Sequence, residues 1–294
     1  NPISMGTTIG FLDNAGKFSR FYEMTRILRE GEPQIVEQSA VVSRLFEKDL
    51  KTISNSRENQ IVLFSEDNSS TLYGYRYFNQ LEERSLASWF RWTLPGTIKY
   101  HCMQDDSLFV VIQNGSQREL LKFTIKIDAN TVTLNDNRVH LDYLMPVASL
   151  PASAYSGGKT TFTKPTGLNG VGQLAVYDID DTVTPAVAIG NYAEATVDSG
   201  NVEIPGNWTG QAFYIGYLYT MSITIPTIYY TQREGEKFVA DTRANTILHR
   251  VKLGFGPVGF YQIELQRTGK PTWNEEYEVT PANTVTANSS GVFD

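Results

Sequence analysis

Between Ile53 and Leu94 the apolar positions come in short bursts rather than at helical spacing. Ile53 to Phe64, ending in Gln60-Ile61-Val62-Leu63-Phe64, then Leu72-Tyr73-Gly74-Tyr75-Arg76-Tyr77-Phe78 and Ser88-Trp89-Phe90-Arg91-Trp92-Thr93-Leu94 are three runs rich in aromatic and β-branched residues. The polar stretch Ser65 to Thr71 and the charged stretch Gln80 to Arg84 separate them. This pattern predicts successive antiparallel strands of one sheet. Along the third run Trp89 and Arg91 fall on one face, Phe90 and Trp92 on the other. Further on, Leu121, Phe123, Ile125 and Ile127 alternate with Leu120, Lys122, Thr124 and Lys126, a strand with one buried face. Asn114-Gly115 before it is a hairpin turn signal.

The pattern repeats weakly. Gln60 to Phe64 corresponds to Ser107 to Ile112, and Leu72 to Tyr75 corresponds to Leu120 to Phe123, an offset of 47 to 48 residues. Arg57-Glu58-Asn59 and Gln104-Asp105-Asp106 supply the preceding turns, and Ile9 to Met24 reads as the remains of an earlier unit. A period of this size with several strands per unit is that of a β-propeller blade, a small sheet that buries its faces only against its neighbours. A propeller needs about four to eight blades. Two to three units do not close one, and the expectation is that a further N-terminal portion supplies the rest; Asn1 in place of Met and a strand-like Thr7 to Phe11 fit part of a longer polypeptide.

From Met145-Pro146 the composition turns to Ala, Ser, Gly and Pro, which places a domain boundary there: residues 1–145 as β-propeller blades, 146–294 as a second domain. The second part shows short strand signals with Gly and Pro turns, at 160–163, 173–177, 186–189, 193–197, 201–204, 212–219, 222–230, 246–255, 259–266 and 277–280, and predicts a β-sandwich or small barrel. Helix signals are limited to one or two turns at 46–51 and 79–87. The run from Ile204 to Gln232 carries no charge, yet Pro205, Pro226 and many hydroxyls interrupt it, so it reads as buried strands and not a membrane span. The whole chain is expected to be all-β.

Composition sharpens this. Sixteen Tyr and fifteen Phe favour strands. The formal charge is −7, with 16 basic against 18 acidic side chains up to residue 150 and 9 against 14 after it. Neither half has the cationic excess with which proteins grip nucleic acid. No secretory signal is legible. Cys102 is the single cysteine, so no intramolecular disulfide forms, which suits a reducing compartment.

Candidate chemistry is sparse. His101, His140 and His249 are far apart, without HExxH or paired-cysteine spacing, and read as partly buried structural imidazoles. Cys102 and His101 are adjacent in a strand and point to opposite faces, which argues against a Cys-His nucleophile. Asp178-Ile179-Asp180-Asp181 lacks the glycine and terminal glutamate of a calcium loop and reads as a solvated turn. Glu275, Glu276 and Glu278 beside Trp273 raise a glycosidase-like carboxylate pair, against which neighbouring strand carboxylates are ordinary surface charge. Asn207-Trp208-Thr209 fits a glycosylation acceptor pattern that has no meaning without a secretory context. The expectation is therefore no catalytic residue, no cofactor and no metal, and Trp89, Phe90 and Trp92 filling an interface between sheets or subunits.

Several phrases in order carry a resemblance: Phe21-Tyr22-Glu23-Met24, Arg29-Glu30-Gly31-Glu32-Pro33, Val36-Glu37-Gln38-Ser39, Ser56-Arg57-Glu58-Asn59, Tyr73-Gly74-Tyr75-Arg76-Tyr77-Phe78-Asn79, Trp89-Phe90-Arg91-Trp92-Thr93-Leu94-Pro95-Gly96 and Pro205-Gly206-Asn207-Trp208-Thr209-Gly210. Together they resemble the tail tubular protein B family, the tail nozzles of short-tailed bacteriophages; residues 143–200 carry no such phrase. The resemblance implies a structural virion protein made in the bacterial cytoplasm. It would form a hexameric ring docked on the adaptor, tail tubular protein A, hold tail fibre protein and conduct viral DNA during ejection without binding it specifically. Acidic walls repel DNA, which fits the charge balance. The rival reading from another class is a carbohydrate-binding or glycan-degrading β-propeller protein, which would show an exposed ring facing carboxylates across a pocket.

Overall fold

The computed structural model describes residues 2–16, 18–26, 33–42, 44–46, 49–80, 83–125, 133–134, 137–138, 141–170, 172–178, 192–224, 229–234, 237–241, 254–255, 260–265, 272–278 and 291–292. They are all-β: among them the helical residues are two single 3₁₀ turns, Ala40–Val42 and Ala152–Ala154. No helix among the described residues is long and apolar enough to cross a membrane. The chain divides into two compact units, Asn1–Thr131 and Val132–Asp294.

The first unit is a series of antiparallel meanders. β1 (Ile3–Ser4), β2 (Thr8–Asp13), β3 (Arg20–Arg26) and β4 (Pro33–Glu37) form a four-stranded sheet in chain order. β5 (Leu50–Ser56), β6 (Ile61–Glu66), β7 (Thr71–Gln80) and β8 (Glu83–Thr93) form a second, and β9 (Thr97–Gln104), β10 (Ser107–Asn114) and β11 (Gln117–Thr124) a third. The run from Ile53 to Phe64 is thus two strands hinged at Arg57 to Gln60, where Gln60 takes a φ of 52°.

Both faces of the middle sheet are covered, which explains why β6 is apolar at consecutive positions and buried at all six. Val62 and Phe64 join Tyr73, Tyr75 and Tyr77 in a core with Met5 and Phe21 of the first sheet and Phe46. Ile61, Leu63 and Leu72 point the other way, into a core with Ile98, Leu108, Val110 and Ile112 of the third sheet. The expected split of the tryptophan strand is observed: Trp89 packs in the first core, Phe90 and Trp92 in the second. Gly74 lies opposite Phe90 in the β7–β8 ladder, and a Cβ there would sit 2.0 Å from the Phe90 ring.

The repeat is physical. β6 and β10 are the second strands of their sheets, β7 and β11 the third, and Phe64 and Ile112 are both fully buried against the preceding sheet. Ile9 to Met24 supplies β2 and most of β3 of the first sheet.

In the second unit β12 (Thr133–Leu134) pairs with β13 (Asn137–Arg138). β14 (Asp142–Val147), β15 (Tyr155–Ser156), β16 (Lys159–Thr163), β17 (Leu174–Asp178), β18 (Tyr192–Asp198), β19 (Asn201–Pro205) and β20 (Phe213–Tyr217) form one antiparallel sheet in the order β14-β20-β17-β18-β19-β16-β15. Its core holds Leu168, Leu174, Val176, Val202, Ile204, Phe213 and Ile215. The rings of Phe162 on β16 and Phe213 on β20, strands far apart in that order, meet edge to face at 5.6 Å, so the sheet curls over its own core. Six further strands follow: β21 (Tyr230–Glu234), β22 (Lys237–Asp241), β23 (Gly254–Phe255), β24 (Phe260–Leu265), β25 (Trp273–Glu278) and β26 (Gly291–Val292), paired β21-β22, β24-β25 and β23-β26.

Three local expectations change. Of 79–87, residues 79–80 end β7 and 83–87 begin β8, with Asn79 opposite Arg84 and Gln80 opposite Glu83. Of 46–51, Leu50 and Lys51 start β5. Helix propensity in both stretches yields to cross-strand pairing. Residues 222–224 are in no strand. The signals at 186–189 and 246–253 lie outside the described residues, and Asp142–Val147, at the compositional border, is an edge strand of the second unit's sheet.

Candidate functional site

Four of the phrases that carry the resemblance, around Phe21–Met24, Val36–Ser39, Tyr73–Asn79 and Trp89–Gly96, meet where the first sheet packs on the second. Glu23 on β3 is buried, accepting from Thr8 Oγ1 at 2.5 Å and from Gln38 Nε2 at 2.9 Å. Gln38 Oε1 accepts from the Tyr75 hydroxyl at 3.0 Å, and its backbone carbonyl accepts from Trp89 Nε1 at 3.2 Å. Ser39 Oγ accepts from the Phe21 backbone N–H at 3.0 Å. Polar groups buried between sheets need such partners, and these fix how the first sheet sits on the second. Trp89 is the hub of the ring cluster, with centroids 4.7 Å from Tyr75, 5.5 Å from Phe46 and 5.6 Å from Phe64.

The second and third sheets are joined at equivalent positions of the repeat. Ser54 Oγ and His101 Nδ1 lie 2.7 Å apart, and Asn59 Nδ2 donates to Asp106 Oδ1 at 2.8 Å; both pairs are separated by 47 residues. His101 is 1% exposed. Burial pulls its pKa down to about 4, which the nearby Thr52 backbone opposes only in part, and its Nε2 is buried without a hydrogen bond of good geometry. The imidazole is therefore neutral at pH 7, as expected of a structural histidine. Cys102 is a free, partly buried thiol in β9 on the face opposite His101.

A small open pocket of about 210 Å³ sits at the turn end of these sheets, lined by Asn55, Ser56, Arg57, Glu58, Met103 and Asp105. It is polar and has no aromatic ring on which a sugar would stack. Among the described residues no group of three or more His, Cys, Asp or Glu side chains is placed to hold a metal.

In the second unit Trp208 is a plug. Its backbone N–H donates to Thr160 Oγ1 at 2.9 Å, its Nε1 donates to the Pro205 carbonyl at 2.9 Å, and its ring meets Phe213 at 5.7 Å. Asn207 Oδ1 accepts from both the backbone N–H and hydroxyl of Thr209, a local turn. Sequence reasoning passed over the joints at Gln38, Ser54 and Asn59, because isolated Ser, Asn and Gln carry no signal until their partners are known. His140, His249 and Asp180-Asp181 lie outside the described residues, and Glu275, Glu276 and Glu278 are placed only as positions on β25, opposite Ile263, Gln262 and Phe260.

The family described as bacteriophage nozzle protein matches residues 1–291, nearly the whole chain. No individual curated protein matches it.

Proposed function

Starting from the chain's membership of the bacteriophage nozzle protein family, a structural component of the phage tail and thus of the virion, we propose that it builds the nozzle ring of a short tail. The match over residues 1–291 carries this reading. In it the ring is hexameric, docks on the adaptor, holds tail fibres and lets DNA pass. The protein acts without catalysis or cofactor: its work is to stay folded and assembled around a moving polyanion.

The stacked sheets of the first unit support a propeller-type arrangement. The middle one is a small meander that buries both faces against its neighbours, which is how blades are stabilised. The outer face of the third sheet carries Tyr100, Phe109, Val111 and Leu120, on the side where the second sheet carries Ile61, Leu63 and Leu72. We read the first and second units as separate domains, the second a curled sandwich or barrel.

With a formal charge of −7, the protein releases few counterions on meeting DNA. It should fail to retard duplex DNA in a gel shift even at low ionic strength, where charge effects are largest. Tight, salt-sensitive retention would mean that the protein grips DNA, and the conduit reading would fall.

A further inference from the structure

We propose that Asn114 is a site of spontaneous covalent modification, where the side-chain amide is lost to the backbone nitrogen of Gly115 and replaced by aspartate or isoaspartate. Both residues sit at the tip of the β10–β11 hairpin, where Asn114 is opposite Gln117.

The reaction needs an amide carbon and, one residue on, a backbone nitrogen able to reach it. The Gly115 nitrogen attacks Asn114 Cγ, the bond from Cγ to the side-chain nitrogen breaks, and ammonia leaves with the proton that Gly115 gives up. A cyclic imide remains. Water then opens it at either carbonyl, restoring the main chain as aspartate or rerouting it through the side chain as isoaspartate. Glycine is the most permissive second residue, because it has no Cβ beside the nitrogen and its backbone turns freely.

The chain has two such pairs, Asn114-Gly115 and Asn169-Gly170, and the structure separates them. Asn114 and Gly115 are exposed, and the Asn114 amide makes no hydrogen bond among the described residues. The place of a Cβ on Gly115 has nothing within 4 Å. The bond that Gly115 accepts from Gln113 Nε2 at 2.9 Å falls on its carbonyl oxygen, not on the attacking nitrogen. Gly170 is clamped instead: a Cβ there would stand 2.8 Å from the Tyr217 ring and 3.0 Å from the Tyr143 ring, and the Tyr217 hydroxyl donates to the Leu168 carbonyl at 3.3 Å. The peptide after Asn169 cannot turn toward Cγ without displacing these rings. Asn55 and Asn68, each followed by serine, have their amides engaged, by the Ser4 carbonyl at 2.6 Å and by Lys99 Nζ at 3.0 Å.

Either product adds a negative charge at the tip, and isoaspartate also adds a methylene to the backbone at the pair that closes the hairpin. Val110 and Ile112 are fully buried and hold the register below, so the change stays local. A virion protein is not replaced after assembly, so altered copies accumulate with age.

The test incubates the folded protein in heavy-oxygen water at mildly alkaline pH, maps its peptides by mass, and marks isoaspartate with an isoaspartate methyltransferase. Heavy oxygen should enter at Asn114 several-fold faster than at Asn169, with isoaspartate at 114, and the two rates should draw together in urea, where no ring clamps Gly170. Equal rates in the folded protein, faster conversion at Asn169, or an Asn114 that loses its amide only in urea each overturn the inference. Gly115→Ala tests the route. It should slow conversion at 114 several-fold in the folded protein and in urea alike, which separates hindrance of the nitrogen from strain at a φ of 60°. No slowing in urea overturns attack by this nitrogen.

Discussion

Gly74 shows how tightly single residues are specified. With a Cβ placed 2.0 Å from Phe90, Gly74→Ala forces the ring out of its rotamer or the two strands apart. Overpacking of this kind costs about 1–3 kcal/mol, and the loss should appear in urea denaturation and be partly recovered in Gly74→Ala, Phe90→Leu. Equal stability of Gly74→Ala and the parent would mean that the β7–β8 register is different. His101 gives a pH signature. Its pKa falls from 6.5 to about 4 on folding, so between these values the unfolded chain takes up a proton that the folded chain refuses. Stability is then full above about pH 6.5, declines as pH falls through that window, and ends roughly 3 kcal/mol lower. Comparing His101→Gln with the parent at pH 7 and pH 5 isolates this term: the parent should lose more stability on acidification, and equal losses would contradict a buried neutral imidazole.

The sheets of the first unit were legible because their strands carry their own evidence. Alternation in Leu121 to Ile125 and the aromatic runs after Gln60 predict strands, and the offset of 47 to 48 residues predicts equivalent sheets. What stacks on what was less visible: the unbroken apolar run Ile61 to Phe64 is consistent with burial on both faces, but only the flanking sheets show which side chains go where. Residues 79–87 and 222–224 were misread for the same reason from opposite directions. Pairing overrode a helical tendency in the first, and strand propensity without a partner made no strand in the second. The register of the repeat is checked by Phe64→Ala and Ile112→Ala. Both side chains are fully buried in the successive cores, so each truncation should cost about 2–5 kcal/mol in chemical denaturation. Losses within the range of surface substitutions at both positions would show that the repeat is drawn wrongly.

At the scale of the molecule, no cluster of chemistry in the sequence pointed to a catalytic site, and the residues that matter most in the described structure join sheets. Glu23, Gln38 and Tyr75 tie the first sheet to the second, Ser54 and His101 the second to the third, and Trp208 closes the core of the second unit. That distribution suits a structural part of the phage tail. The proposed ring is not legible in the residue pattern of one chain, because an interface between copies leaves no periodicity of its own. The central claim is tested most directly by electron microscopy of the protein mixed with its adaptor. The account predicts rings stacked coaxially on the adaptor ring, with an open central channel. Monomers that remain separate from the adaptor under assembly conditions would contradict it.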